Sequence, residues 1–143
     1  MNPRIEKAFP ALRDRFAVTS PADFRYNCIA WAVDASENRS WWWSAGDEPG
    51  RFMPPKLVFW PGGISSACTV ASFIAAFEWR GWRRCADGAH HPGIEKVALY
   101  ADEHEEPTHA ARQLADGRWT SKLGDWEDIT HETLEALEGP IYG

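Results

Sequence analysis

Thr108-His109-Ala110-Ala111-Arg112-Gln113-Leu114-Ala115-Asp116-Gly117-Arg118-Trp119-Thr120-Ser121-Lys122-Leu123 is the stretch whose reading decides the fold. Two strand-like runs, 108–114 and 118–123, flank Asp116-Gly117, and side-chain alternation settles which residues share a face. The turn is either a two-residue hairpin on Asp116-Gly117 or a three-residue loop with Gly117 in the left-handed bulge position. The three-residue loop pairs Leu114 with Arg118, Ala111 with Ser121 and His109 with Leu123. One face then carries His109, Ala111, Gln113, Trp119, Ser121 and Leu123, while Arg112, Arg118, Thr120 and Lys122 share the other. The two-residue loop sets Lys122 beside His109 and separates charge from core less cleanly, which favours Ser121 as the polar neighbour of the histidine. With residues 95–101 ahead of them, the two runs read as an antiparallel meander of three strands joined by short acidic or glycine-containing turns.

Upstream, Tyr26-Asn27-Cys28-Ile29-Ala30-Trp31-Ala32 places small and apolar residues behind a cysteine at helical spacing. A helix running on from Ser20-Pro21-Ala22-Asp23 would set Cys28 two turns inside. With Asn27 as the cap, Cys28 is the first helical residue, and Ile29, Ala32 and Val33 form one apolar face. The second reading is preferred, with 34–40 closing the helix. Backbone N–H groups at a helix start favour a thiolate, so Cys28 is the candidate nucleophile. His109 is the candidate base, since imidazole can take the thiol proton and later protonate a leaving group. A third polar group would orient the ring: Ser121 by register, with Gln113, Lys122 and Asp128 as alternatives. The Cys28 N–H, Asn27 and Gln113 are candidates for holding an oxyanion or substrate.

The chain has 143 residues, enough for one domain over 1–143 with a core that needs neither metal nor disulfide. A net charge of −6 argues against a nucleic-acid partner and against an acidic membrane surface, both of which call for a basic face. The three cysteines, Cys28, Cys68 and Cys85, form no CxxC pair and read as free thiols of a reducing compartment. Met1-Asn2-Pro3-Arg4-Ile5-Glu6-Lys7 has charges where a signal peptide needs an apolar run, and nothing approaches the roughly 18 apolar residues of a membrane span. A cytoplasmic protein is expected, and export without a cleaved signal would leave no trace in the sequence.

Nine tryptophans imply an aromatic-rich core with some indoles at its edge. Residues 1–19 read as a loosely structured lead-in packing by its aromatics. Residues 41–63, from Trp41-Trp42-Trp43 to Pro61-Gly62-Gly63, read as a long Trp/Pro-rich loop. That loop is either an aromatic lid on the core or a stacking wall for a sugar or peptide, with Trp42 and Trp43 as contacts. Val70, Phe73, Ile74 and Phe77 predict a helix over 67–80, capped by Ser65 or Ser66 and stopped by Gly81. Cys68 in its first turn is the rival thiol. Asp128-Ile129-Thr130 is expected to lead into a brief helix over 131–137. Cys85, His90, His91 and His104 have poor metal spacing, so neither a metal nor another cofactor is expected. The acidic run Asp102-Glu103-His104-Glu105-Glu106 reads as a solvated turn.

The order helix-cysteine, strand-histidine, strand-polar residue resembles the papain-like cysteine hydrolases, in particular the NlpC/P60 branch and its amidase relatives. Cys28, His109 and Ser121 match that branch's three positions in order. Asn27 before the cysteine and Ile29-Ala30 after it depart from the branch's usual Asp and Ser-Gly, and serine replaces its usual His, Asn or acid. The elements Asn27 to Ala32, His109 to Leu114 and Trp119 to Gly124 also resemble a second bacterial family that brings no activity with it. The first resemblance implies an α+β fold, a helix carrying Cys28 packed on an antiparallel meander. It also implies hydrolysis of an amide in a peptide, protein or peptidoglycan-like substrate. An acyl-transferase on the same dyad and a non-catalytic binding module using the tryptophan loop are the other two function classes.

Overall fold

In the computed structural model, Gly117 takes φ +92°, the Gly117 N–H donates to the Leu114 carbonyl, and the Leu114 N–H donates to the Arg118 carbonyl. This is the three-residue loop, and it sets the register of the two strands it joins, β5 (Pro107–Gln113) and β6 (Trp119–Lys122), as Arg112↔Thr120 and Gln113↔Trp119. The described residues are 3–12, 15–23, 26–33, 41–42, 58–65, 67–123, 126–139 and 141–143. Two further strands extend the meander: β4 (Val97–Ala101) beside β5, and β7 (Asp128–His131) beside β6. The strand β1 (Phe16–Ser20) pairs with β7, giving a five-stranded sheet of order β1-β7-β6-β5-β4 in which every neighbour is antiparallel.

The two faces of this sheet bury different sets of residues. One face carries Tyr100, Ala111, Trp119, Leu123 and Ile129, covered by Ile5, Phe9 and Leu12 from the region of α1 (Pro3–Ala8) and by Leu137 and Tyr142. The other carries Val97, Leu99 and Ala110 and is covered by α2 (Cys28–Ala32) and α3 (Val70–Trp79), with Phe73 and Phe77 inserted. Phe73 is wholly buried, and burying a side chain of that size contributes about 1.5–3 kcal/mol. Trp31 bridges α2 to the sheet, its indole N–H donating to Thr120 Oγ1 at 2.9 Å, which satisfies the polar end of a large, partly buried ring.

The α+β, papain-like arrangement expected from the resemblance is overturned here. The chain is mostly a five-stranded antiparallel sheet with a few short helices, and the helix carrying Cys28 is only five residues long. Strand pairing of distant segments, β1 with β7, supplies structure where helix or loop was expected. Residues 16–20 are thus an edge strand and not a loose lead-in, and Pro3–Ala8 is helical. Ser20 ends β1 and starts no helix. Asp128–His131 is a strand, leaving only a 3-10 turn at Glu135–Leu137 of the helix expected over 131–137. The helix expected over 67–80 starts later, at Val70. Thr69 is its cap and accepts from the Ser72 N–H at 3.1 Å, so Cys68 lies outside it. Of the Trp/Pro-rich loop, Trp41–Trp42 (β2) pairs in parallel with Val58–Phe59 (β3), while Trp43 and 34–40 lie outside the described residues. Among the described residues no helix is long and apolar enough to cross a membrane.

Candidate active site

Asn27 has extended dihedrals, and its side-chain oxygen accepts from the Ala30 N–H at 3.1 Å, so the local sequence starts α2 with Cys28 as its first residue. The first N–H groups of a helix have no partner inside it. Here the N–H groups of Cys28 and Ile29 interact with the Cys28 thiol and lower its pKa, as does the charge of Lys122. The backbone N–H of Ala110 in β5 also hydrogen-bonds the sulfur. Cys28 and Ala110, the residue after His109 in β5, share one buried cluster. These donors do not produce the thiolate expected from the sequence. Cys28 is buried, desolvation is the largest effect, and its pKa is pushed up to about 11.

His109 is fully buried on the face of the sheet that carries Ala111 and Trp119. Its Nε2 lies 3.0 Å from Ser121 Oγ, a diagonal contact in the β5–β6 register, while its Nδ1 is buried with no hydrogen-bond partner. The ring stacks on Tyr142 with centroids 4.0 Å apart and planes within 10°, and Tyr100 tilts against it at 5.3 Å. Burial first, and then the neighbouring His131, hold His109 well below the usual imidazole range, so the ring is neutral. Burial first, and then the charges of Cys28 and Tyr100, hold the Tyr142 hydroxyl well above the ordinary tyrosine range. Cys28 thus packs in the core under α2 on the face that carries Ala110, His109 lies on the other face of β5 one residue along, and no hydrogen bond joins His109 Nδ1 to the sulfur.

Ser121 Oγ also lies 2.8 Å from His131 Nε2, and His131 Nδ1 lies 2.8 Å from the Thr133 carbonyl. The helix expected over 131–137 hides His131, which ends β7. The alternation of Ile129 and His131 with Asp128 and Thr130, β-branched at its centre, was the signal for a strand.

The other candidates are spread away from this line. Lys122 projects to the opposite face, where its ammonium donates to the carbonyls of Asp23 and Trp126 and lies 5.0 Å from the Tyr26 ring. Asp128, paired with Lys122 in the β6–β7 register, accepts from the Tyr26 hydroxyl at 2.8 Å on that same face. Gln113 shares the face of His109, but its amide donates to the carbonyls of Gly88 and Gly117 near the hairpin. Asn27 uses its oxygen in the cap, Trp42 is described only through its β2 backbone, and Trp43 lies outside the described residues.

Among the described residues no cluster of His, Cys, Asp or Glu is arranged to hold a metal ion. Cys85 donates to the Asp87 carbonyl, and His91 approaches the Asp87 carboxylate at 4.0 Å. The Asp102 carboxylate accepts from the N–H groups of His104 and Glu106, closing an exposed turn. A cavity of about 310 Å³ lies between α3 and β4, lined by Phe77, Trp82, Val97 and Leu99 with Arg83 and Arg84 at its rim. Neither Cys28 nor His109 lines it.

Residues 17–143 match the family described as Domain of unknown function (DUF7689). The chain belongs to that family. The match takes in all five strands of the sheet except Phe16, the first residue of β1, and therefore every group of the site. No curated protein matches the chain, and no solved structure does.

Proposed function

We propose that this DUF7689 chain is a cysteine hydrolase of amide bonds, with Cys28 as nucleophile and His109 as general base and acid. The observation that carries the reading is the unpartnered Nδ1 of a buried, neutral His109, one residue along β5 from Ala110, which shares a buried cluster with Cys28. A buried polar atom without a partner costs about 1–3 kcal/mol, and native sites retain such atoms where chemistry uses them.

In the resting state both partners are neutral, so attack and proton transfer occur together. The sulfur bonds to the amide carbon, its proton passes to His109 Nδ1, and the carbonyl electron pair moves onto oxygen. The N–H groups of Cys28 and Ile29 at the start of α2 are the donors available to that oxygen. The carbon–nitrogen bond then breaks, and the amine leaves with the proton from Nδ1. Water, deprotonated by the same nitrogen, releases the acid and restores the thiol. Tyr142 stacks over His109, so a substrate gains access when that ring moves aside.

A panel of peptidyl and N-acyl aminocoumarin amides tests this. Turnover is expected in the wild type, abolished in Cys28→Ala and reduced about 10²–10⁴-fold in His109→Ala. Turnover that survives in Cys28→Ala, or the absence of any acyl adduct on Cys28 by mass spectrometry across the panel, contradicts the reading. Release of free acid, as opposed to acyl transfer onto an added amine, separates hydrolysis from acyl transfer on the same dyad.

A further inference from the structure

The line His109–Ser121–His131–Thr133 ends on a backbone carbonyl, and a carbonyl only accepts. His131 therefore carries its proton on Nδ1 and donates to Thr133. Its burial keeps the ring neutral, so Nε2 is a bare acceptor. Ser121 has a single hydroxyl proton, and the acceptor at 2.8 Å takes it. The serine oxygen is then left to accept, and His109 Nε2 must donate across the 3.0 Å contact. A neutral imidazole with its proton on Nε2 has a bare Nδ1, the atom that has no partner. Each step follows from the one before, and the direction is set at the Thr133 carbonyl.

We propose that His131 is a positioning residue that acts through Ser121 to hold His109 in its Nε2–H tautomer, keeping Nδ1 as a free base toward Cys28. This rests on the reading of His109 as the base, but the tautomer is observable without any substrate. The arrangement also gives Ser121 a definite part. Alone, a hydroxyl can donate to or accept from an imidazole and selects no tautomer. With its proton committed to His131 it can only accept. The outer ring lies at the edge strand pair, where His131 joins Arg15, Phe16 and Arg118 in lining a cavity of about 210 Å³.

The test is nitrogen-15 NMR of the imidazole side chains in the folded wild-type protein near neutral pH, followed by His131→Phe and His131→Gln. In the wild type, His109 is expected with a protonated, pyrrole-type Nε2 and a bare, pyridine-type Nδ1, and His131 with the opposite tautomer. His131→Phe removes the acceptor, frees the Ser121 hydroxyl to donate to His109, and should shift population toward the Nδ1–H form. His131→Gln keeps an acceptor oxygen and should restore the wild-type tautomer. A wild-type His109 protonated on Nδ1, or a His109 tautomer unchanged in a folded His131→Phe, overturns the proposal. If His131→Phe does not fold, the wild-type spectrum alone still decides. The correct tautomers in a protein that turns over no amide would leave the relay standing and remove the hydrolase reading. Amide turnover with the opposite tautomer would do the reverse.

Discussion

Two buried imidazoles and one buried thiol make the stability of this chain depend on pH from both sides. His109 and His131 are both held below the usual imidazole range, chiefly by burial. As pH falls through about 6.5 the unfolded chain binds protons at these rings and the native chain does not, so stability falls toward acid. Each ring contributes up to roughly 1.4 kcal/mol of loss per pH unit below that point. Cys28 acts in the other direction: its native pKa of about 11 lies above the unfolded value, so stability falls as pH rises beyond about 8.5. Urea midpoints between about pH 7.5 and about pH 5 should therefore decline, and His131→Gln should remove one ring's share of that slope. An equal slope in the variant would mean that His131 titrates normally in the folded state. At this scale the placement of Cys28 at the start of α2 and of Ser121 beside His109 was legible from residue type and register. The protonation state of the thiol was not, because desolvation depends on everything packed around a group, and no local pattern encodes that.

Among the elements, the stretch that carries Tyr142 covers the His109 ring. Gly139 and Gly143 exchange N–H to carbonyl bonds in both directions, and the Thr108 hydroxyl donates to the Tyr142 carbonyl, which presents the Tyr142 ring to His109. Gly143 takes φ +84°, and a Cβ there would meet the Ala101 carbonyl oxygen at 2.2 Å. Gly143→Ala should cost about 1–3 kcal/mol in a denaturation experiment and loosen this segment. Tyr142→Ala should cost about 3–5 kcal/mol, as large aromatic truncations do, and speed alkylation of Cys28 in the protein that remains folded. Unchanged alkylation would show that Tyr142 does not limit access. The hairpin at Asp116-Gly117 was readable because its signals are local: a glycine at the position needing positive φ, and alternation on either side. β1 and β7 were not, because their pairing joins the two ends of the chain. Ser20-Pro21-Ala22-Asp23, which ends a strand, also imitates the start of a helix.

For the molecule as a whole, the sheet buries one face under α1, Ala136, Leu137 and Tyr142 and the other under α2 and α3, with His109 and Ser121 on β5 and β6. Ile129, fully buried beside Ser121 in the register, ties β7 to this core. Ile129→Ala should cost about 2–5 kcal/mol, whereas Val18→Ala in the edge strand β1, opposite Ile129 but 47% accessible, should stay within about 0.5 kcal/mol. Chemical denaturation separates the two, and a large loss at Val18 would mean that β1 carries more of the core than its exposure implies. The interior is aromatic through Phe and Tyr more than Trp, since among the described tryptophans only Trp119 is buried, and the extent of the sheet was not legible because five strands arise from pairings that no single segment announces. Three free cysteines at three depths, Cys28 buried, Cys68 partly buried and Cys85 exposed, supply an internal scale for the central claim. The measurement is the rate of iodoacetamide alkylation at each cysteine as a function of pH, read by mass spectrometry in the wild type and in His109→Ala. A neutral Cys28–His109 pair predicts a pH-independent component of Cys28 labelling between about pH 6 and about pH 9 that disappears in His109→Ala, while Cys85 labels alike in both proteins. A Cys28 rate that climbs tenfold per pH unit across that range, identically in both proteins, would contradict the pairing.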